Sequence, residues 1–402
     1  MQHTRLKISL IGMAGFLILP FWAGAQEYIY TGQELNTITT AVPFLLIAPD
    51  ARSGGMGDAG VTSTPDASSM HFNPAKYAFI EKDMGFAISY SPWLRALVSD
   101  INLAYLAGYK RIDDKQTIGA TLLYFSLGDI TFTDIVGEVI GNYKPNEFSI
   151  DATYARKLGP TWSGAVSARY IYSNLTQGIP VAGASTHAGH SVATDVAFYY
   201  KKEINLKNLD KSWINLGFNI SNIGAKISYS ESNTEKDFIP TNLRFGPSLT
   251  MDFNEYNRFT FMVDVNKLLV PTPPIYDSVD GTTIIAGMDP EVGVVTGIVH
   301  SFYDAPGGFE EEIREFSFCL GTEYWYDQQF AIRAGFFYED KTKGNRKFFT
   351  LGAGLRYNVF GLDFSYLIPT DQKNPLENTL RFTLSFDFDA FSRKTDEEFI
   401  TE

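Results

Sequence analysis

Gly55, Gly57 and Gly60 stand at the spacing G-x-G-x-x-G, the pattern that lets a backbone turn approach a dinucleotide pyrophosphate. That chemistry needs a strand before the glycines and a helix after them. VPFLLIAP (42–49) imitates the strand, but VTSTPDASS (61–69) is β-branched, turn-rich and interrupted by Pro65, and no βαβ rhythm follows. The glycines are therefore expected to permit tight turns where backbone packs closely against a wall. Other chemistry is equally poorly supplied. No G-x-S-x-G elbow is present, and after the N-terminal region only His71, His187, His190 and His300 offer a base for a nucleophile. His187 and His190 lie in a Gly/Ala/Ser loop without further ligands at metal spacing, and His71 reads as a hydrogen-bonded packing residue. Cys319 is the single cysteine, which excludes an intrachain disulfide framework and a cysteine metal cage. Glu310, Glu311 and Glu312 read as a solvated charge run. No enzyme activity, cofactor or metal is expected.

The elements around these residues belong to a different kind of protein. Arg5 and Lys7, the apolar stretch ISLIGMAGFLILPFW and the small residues Ala23-Gly24-Ala25 form a secretory signal peptide over residues 1–25. No cysteine follows the cleavage site, so a lipoprotein anchor is not expected. Beyond residue 25 no apolar run is long enough for a transmembrane helix. The aromatic content of 15%, with 32 Phe and 22 Tyr, exceeds what a water-soluble core needs. A formal net charge of −13 argues against nucleic acid as a partner.

From Asp83 onward the pattern alternates with period two. In TLRFTLSFDF, Leu380, Phe382, Leu384 and Phe386 share one face, and Arg381, Thr383 and Ser385 share the other. The alternation predicts strands near 83–90, 98–110, 116–126, 147–157, 161–173, 191–202, 212–221, 242–253, 257–266, 315–326, 329–338, 347–357, 360–367 and 378–388. About fourteen strands with lipid-suited apolar faces predict an all-β fold, a transmembrane antiparallel β-barrel. The even connections (RIDDK, LGPT, EINLKNLDK, FNEY, DQ, NVFG) are short, while 127–146, 222–241 and 267–314 are long. Bacterial barrels have short periplasmic turns and long external loops, which puts the N-terminus on the periplasmic side and the long loops on the cell surface.

Residues 26–82 are too long for a leader and too rich in Gly and Pro for a separate core, so they are expected to fill the lumen as a plug. Asn73-Pro74-Ala75 should hold the exit of that segment into the first strand. The barrel is expected over 83–391, with a polar tail at 392–402. In the longest loop, Asp289 as N-cap, Pro290 at the first helical position, Glu291 in the first turn and Pro306-Gly307-Gly308 as a stop predict a short amphipathic helix. Val292, Val295, Val299 and Phe302 form its apolar face, a candidate docking surface with Trp93 and Leu94 of the first external loop as neighbours.

An Asn-Pro-Ala at the end of an N-terminal plug before a barrel of this size resembles the FadL-like channel family. The segments TTAVPFLLIAPDARSGGMGDAGVTSTPDASSMHFNPAKYAF, SPWLRALVSDINLAYLAGYK, PNEFSIDATYARKLG and DAPGGFEEE, with TLRFTLSFDF, resemble the PorV family of outer-membrane components of the type IX secretion system. That resemblance implies a non-enzymatic role. Such a protein receives secreted cargo through the cargo's C-terminal signal domain beside the translocon barrel. It passes the cargo to a surface-attachment complex containing a sortase-like peptidase. The other function open to such a barrel is FadL-like transport of hydrophobic small molecules across the outer membrane.

Overall fold

The structure is a computed structural model of the chain. It describes residues 35–388 except 96–97, 99, 134–135, 180–184, 231–235 and 372–373. The expected signal peptide (1–25), the first part of the expected plug (26–34) and the polar tail (392–402) lie outside the described residues.

Eighteen strands form among the described residues: β1 (Met84–Pro92), β2 (Asn102–Arg111), β3 (Gln116–Ser126), β4 (Ile130–Thr133), β5 (Val139–Tyr143), β6 (Asn146–Lys157), β7 (Trp162–Asn174), β8 (Gly189–Ile204), β9 (Lys211–Gly224), β10 (Asn242–Asp252), β11 (Asn257–Leu268), β12 (Ile275–Tyr276), β13 (Ile284–Ala286), β14 (Ser317–Tyr326), β15 (Phe330–Tyr338), β16 (Lys347–Tyr357), β17 (Phe360–Pro369) and β18 (Leu380–Phe388). Fourteen of them close into one antiparallel barrel, with β1 hydrogen-bonded to β18 from Met84↔Phe388 to Tyr90↔Phe382. Each of the fourteen alternating runs in the sequence corresponds to one wall strand. The remaining four strands make two hairpins, β4–β5 and β12–β13, in the long connections.

The period-two pattern dictates the wall. In β18, Arg381, Thr383 and Ser385 are buried toward the interior, while Phe382 is 42% exposed on the outer face. Phe349, Leu351 and Tyr357 of β16 and Trp162, Val166 and Tyr170 of β7 likewise stand on the outside. Aromatic rings pair across neighbouring strands on this face: Phe86 with Phe386 at 4.7 Å, Trp162 with Tyr200 at 4.8 Å, and Phe364 with Phe382 at 5.3 Å between centroids. A closed barrel has no free edge, so every wall strand can satisfy its backbone inside lipid.

The segment before β1 contains two four-residue helices, α1 (Ala51–Gly54) and α2 (Ser69–Phe72), and two 3-10 turns, Pro43–Leu46 and Pro74–Phe79. Its hydrogen bonds run to inward-facing groups of strands spread around the barrel. The amide of Ala51 donates to Thr383 Oγ1 at 2.8 Å, and that of Gly57 to Thr350 Oγ1 at 2.8 Å. The amides of Gly60 and Val61 both donate to Asp264 Oδ2, at 2.7 and 2.8 Å. Gly57 has φ +66°, and a Cβ there would lie 2.6 Å from the backbone nitrogen of Phe336 in the wall. Gly57 thus serves close backbone approach to the wall.

Several charged groups on the inner face form buried ion pairs, which offsets the cost of their burial. Arg52 reaches Glu323 and Asp66, each at 2.7 Å, and Arg333 bridges Glu323 at 2.7 Å to Asp363 at 2.8 Å. On the opposite side Arg169 pairs with Asp151 at 2.5 Å and Asp195 at 3.1 Å.

Candidate docking surface at the long-loop end

The chain between β11 and β14 carries the β12–β13 hairpin and then two helices, α3 (Val294–His300) and α4 (Phe309–Arg314). The expected helix exists but starts later than its sequence signals imply. Gly293 is the N-cap, without a side-chain bond, and Asp289 instead accepts the Glu291 amide in a tight local turn at 2.8 Å. A carboxylate that bonds two residues ahead offers the backbone a turn in place of a helix, which delays the start.

Gly297 is the buried residue of α3. A Cβ there would meet the Phe238 ring at 2.9 Å and Pro271 at 3.2 Å, so the helix sits on that pair through its one residue without a side chain. The ammonium of Lys226 lies 4.0 Å from the centre of the Phe238 ring. With Gly297 turned inward, the apolar set faces away: Val295 is 75% exposed, Val299 53% and Phe302 48%. Tyr303, Phe309 and Ile313 are exposed as well, and Val292 is half-buried just before the helix.

What holds α4 is a cluster of lysines and glutamates. Lys267, at the end of β11, donates to Glu312 at 3.1 Å and to Glu315 at 2.5 Å. Lys343, in the β15–β16 loop, donates to Glu311 at 2.6 Å and Glu315 at 3.0 Å. Thr272 donates through its hydroxyl to Glu315 at 2.6 Å and through its amide to Asp304 at 3.1 Å, while the Ala305 amide donates to Glu312 at 2.9 Å. Asn36 adds a bond to Glu311 at 2.9 Å and another to the Pro273 carbonyl at 3.2 Å. Burial opposes ionisation of Glu311, but Lys343, the Gly307 amide and Asn36 outweigh it and hold its pKa below the ordinary glutamate value. Asp304 shifts upward because it is buried and faces Glu312 and Glu315.

Two members of the expected solvated run, Glu311 and Glu312, are therefore structural anions; Glu310 alone is exposed. Lys267, Lys343 and Glu315 are missing from the sequence-based site. Their partners lie 28 to 48 residues away in the chain, and no local pattern marks such pairs.

The structure does not bring Trp93 and Leu94 to the exposed apolar set. Both are half-buried and pack on interior side chains such as Met56, Phe337 and Phe348, and the Arg381 guanidinium stands 5.7 Å from the Trp93 ring centre. Asn73, Pro74 and Ala75 form one tie between the pre-β1 segment and the wall. Asn73, fully buried, donates to the carbonyls of Val61 at 3.1 Å and Phe198 at 3.0 Å and accepts from the Ala75 amide at 3.0 Å. Pro74 opens the 3-10 turn, and the Ala75 carbonyl accepts from Ser163 at 2.7 Å. His71 packs edge-on against Phe72 and Tyr105, and its backbone amide donates to the Ser68 carbonyl at 3.3 Å. His187 bonds to backbone carbonyls and His190 to the Tyr170 hydroxyl.

Among solved structures the chain is similar to the toluene transporter TodX of Pseudomonas putida, at 10% identity and TM-score 0.47, over 88% of this chain and 98% of that one. It is also similar to a FadL homologue of Pseudomonas aeruginosa (12%, TM-score 0.44, 88% and 99%) and to the toluene transporter TbuX of Ralstonia pickettii (10%, TM-score 0.43, 88% and 99%). No curated protein matches the chain. The family described as type IX secretion system protein PorV matches residues 30–275. That match spans more than half of the sequence and includes the pre-β1 segment and wall strands through β11, so the chain belongs to the PorV family, as an outer-membrane β-barrel of the type IX secretion system.

Proposed function

We propose that this barrel is a cargo-handling component of the secretion system, with the long loops on the cell surface and the N-terminus on the periplasmic side. It receives secreted proteins through their C-terminal signal domains at the translocon barrel and delivers them to the surface-attachment complex that contains a sortase-like peptidase. The observation that carries this reading is the exposed apolar set of Val295 and Val299 on α3 and Phe302 just after it, beside α4, which Lys267 and Lys343 clamp to the barrel. A few aliphatic and aromatic anchors on a rigid support are the usual energetic centre of a protein interface. Residues 42–80 act in this reading as a plug, supported by their hydrogen bonds to inward-facing groups around the wall. A lumen so filled makes transport of hydrophobic small molecules the weaker alternative.

Replacing Val295, Val299 and Phe302 together by Ser tests the proposal. Barrel assembly should remain intact, because these side chains are exposed and lie outside the wall strands. Recovery of translocon or cargo with the barrel should fall, and signal-domain proteins should accumulate in the periplasm. Normal cargo display by a correctly assembled triple variant sinks the docking role. Altered uptake of apolar solutes with normal secretion would favour transport.

A further inference from the structure

At the short-turn end, a cavity of about 300 Å³ opens between the pre-β1 segment and the inner wall. Exposed Glu81, Lys82 and Gln328 line its mouth, and Asp50, Thr383 and Ser385 line its inner part. Its size falls at the lower end of the range for small-molecule pockets, about 300–1,000 Å³.

Most charges around it are already matched. Arg52 is held by Glu323 and Asp66, Arg356 by Asp363 at 2.6 Å, Arg258 by Asp252 at 2.6 Å, and Asp387 accepts from the Tyr109 hydroxyl at 2.9 Å. Two groups at the inner end are not. Asp50 is 1% exposed; its Oδ2 caps α1 through the Ser53 amide at 2.8 Å, and its Oδ1 has no protein partner. Ser385 is 7% exposed, and its hydroxyl oxygen has no protein partner either. Toward the mouth, the Lys201 ammonium makes no ion pair or hydrogen bond among the described residues; it stands 5.8 Å from the Trp213 ring centre, with Glu81 on the same rim.

An acceptor pair at the inner end and an unpaired cation toward the mouth define a polarity. A buried carboxylate oxygen left without a partner is costly, and a cationic hydrogen-bond donor would relieve it. We propose that the cavity binds a small zwitterion of the amino-acid or dipeptide kind, with its ammonium at Asp50 and Ser385 and its carboxylate toward Lys201. This site lies apart from the docking face and does not depend on that reading.

The test is calorimetric titration of the full barrel in detergent micelles with glycylglycine, its N-acetyl derivative and its C-terminal amide. Glycylglycine should bind, and removing its ammonium by acetylation should weaken binding by about 10- to 100-fold, the worth of hydrogen bonds to a charged group. Asp50→Asn, which retains an oxygen to cap α1, should weaken glycylglycine by a similar factor. In Lys201→Gln the dipeptide and its amide should bind equally, whereas the unaltered protein should prefer the dipeptide. Ser385→Ala supplies a second inner-end variant should Asn at position 50 disturb folding. Absence of binding would mean that the cavity holds water alone and would overturn the proposal. So would equal affinity for the acetylated and free dipeptide, or affinity unchanged by both inner-end variants.

Discussion

Lys267→Met should release α4 while leaving the barrel closed. Lys267 is fully buried and donates to both Glu312 and Glu315. Without it, Glu311 and Glu315 share the single ammonium of Lys343, and Glu312 has no ion-pair partner among the described residues. Removing one partner of a buried pair costs about 3–5 kcal/mol. Glu315 would keep Lys343 and the Thr272 hydroxyl, and Glu312 the Ala305 amide, so the lower end, about 3 kcal/mol, applies. That corresponds to a roughly 100-fold larger open population of the loop. The opening should be local, because wall strands are held by their own ladders. Hydrogen exchange of residues 304–316 should accelerate by that factor, with the wall strands and the heat-modified gel mobility of the barrel unchanged. Replacing Lys267, Glu312 and Glu315 together by Met, Gln and Gln should recover part of the loss, since no buried charge is then left unmatched. Glu310→Gln, at an exposed position, should change nothing. Exchange in Lys267→Met equal to that of the unaltered protein would refute the clamp.

Three further outcomes follow from the same structure. Leu384→Arg places a charge on the outer face midway along β18, between Ile88 and Leu362, and should cost about 2–4 kcal/mol in membrane assembly. Tyr357→Arg, also on the outer face but at the turn end, should cost at most about 1 kcal/mol; equal membrane levels of the two would contradict the assigned depths. Gly57→Ala combines a left-handed φ with a Cβ 2.6 Å from Phe336 backbone and should destabilise by about 3 kcal/mol, read as a lower thermal transition. Gly137→Ala, at φ +86° with open space around it, should cost only about 1 kcal/mol. Glu311 has a folded pKa below its ordinary value of 4.5, so its stabilisation is fully present above pH 4.5 and is lost as pH falls through the lower folded value. Loop exchange, corrected for its intrinsic pH dependence, should therefore rise below pH 4.5, and Glu311→Gln should flatten that rise.

The sequence by itself determined the wall. Alternation needs only the chain's own neighbours, because successive strand side chains point to opposite faces, and lipid on one side enforces the pattern in every strand. The fourteen wall strands, the outward Phe382 and the inward Arg381 were all legible for that reason, as was the helix before the stop at Pro306. Its starting point was not legible, because Asp289 could equally cap a helix or close a local turn, and the turn prevailed. Only the tertiary structure decided which groups meet across the barrel. Glu311 and Glu312 look like solvated surface in sequence, and Lys267 and Lys343 like ordinary rim lysines, until closure of the strands brings them together. Trp93 and Leu94 look like external anchors, yet they pack inward on side chains from distant strands. Asp50 and Ser385 are 335 positions apart and share one cavity only because β18 returns to β1. Periodicity encodes which face a residue takes; the partner it finds there depends on barrel closure, and no short stretch of sequence contains it.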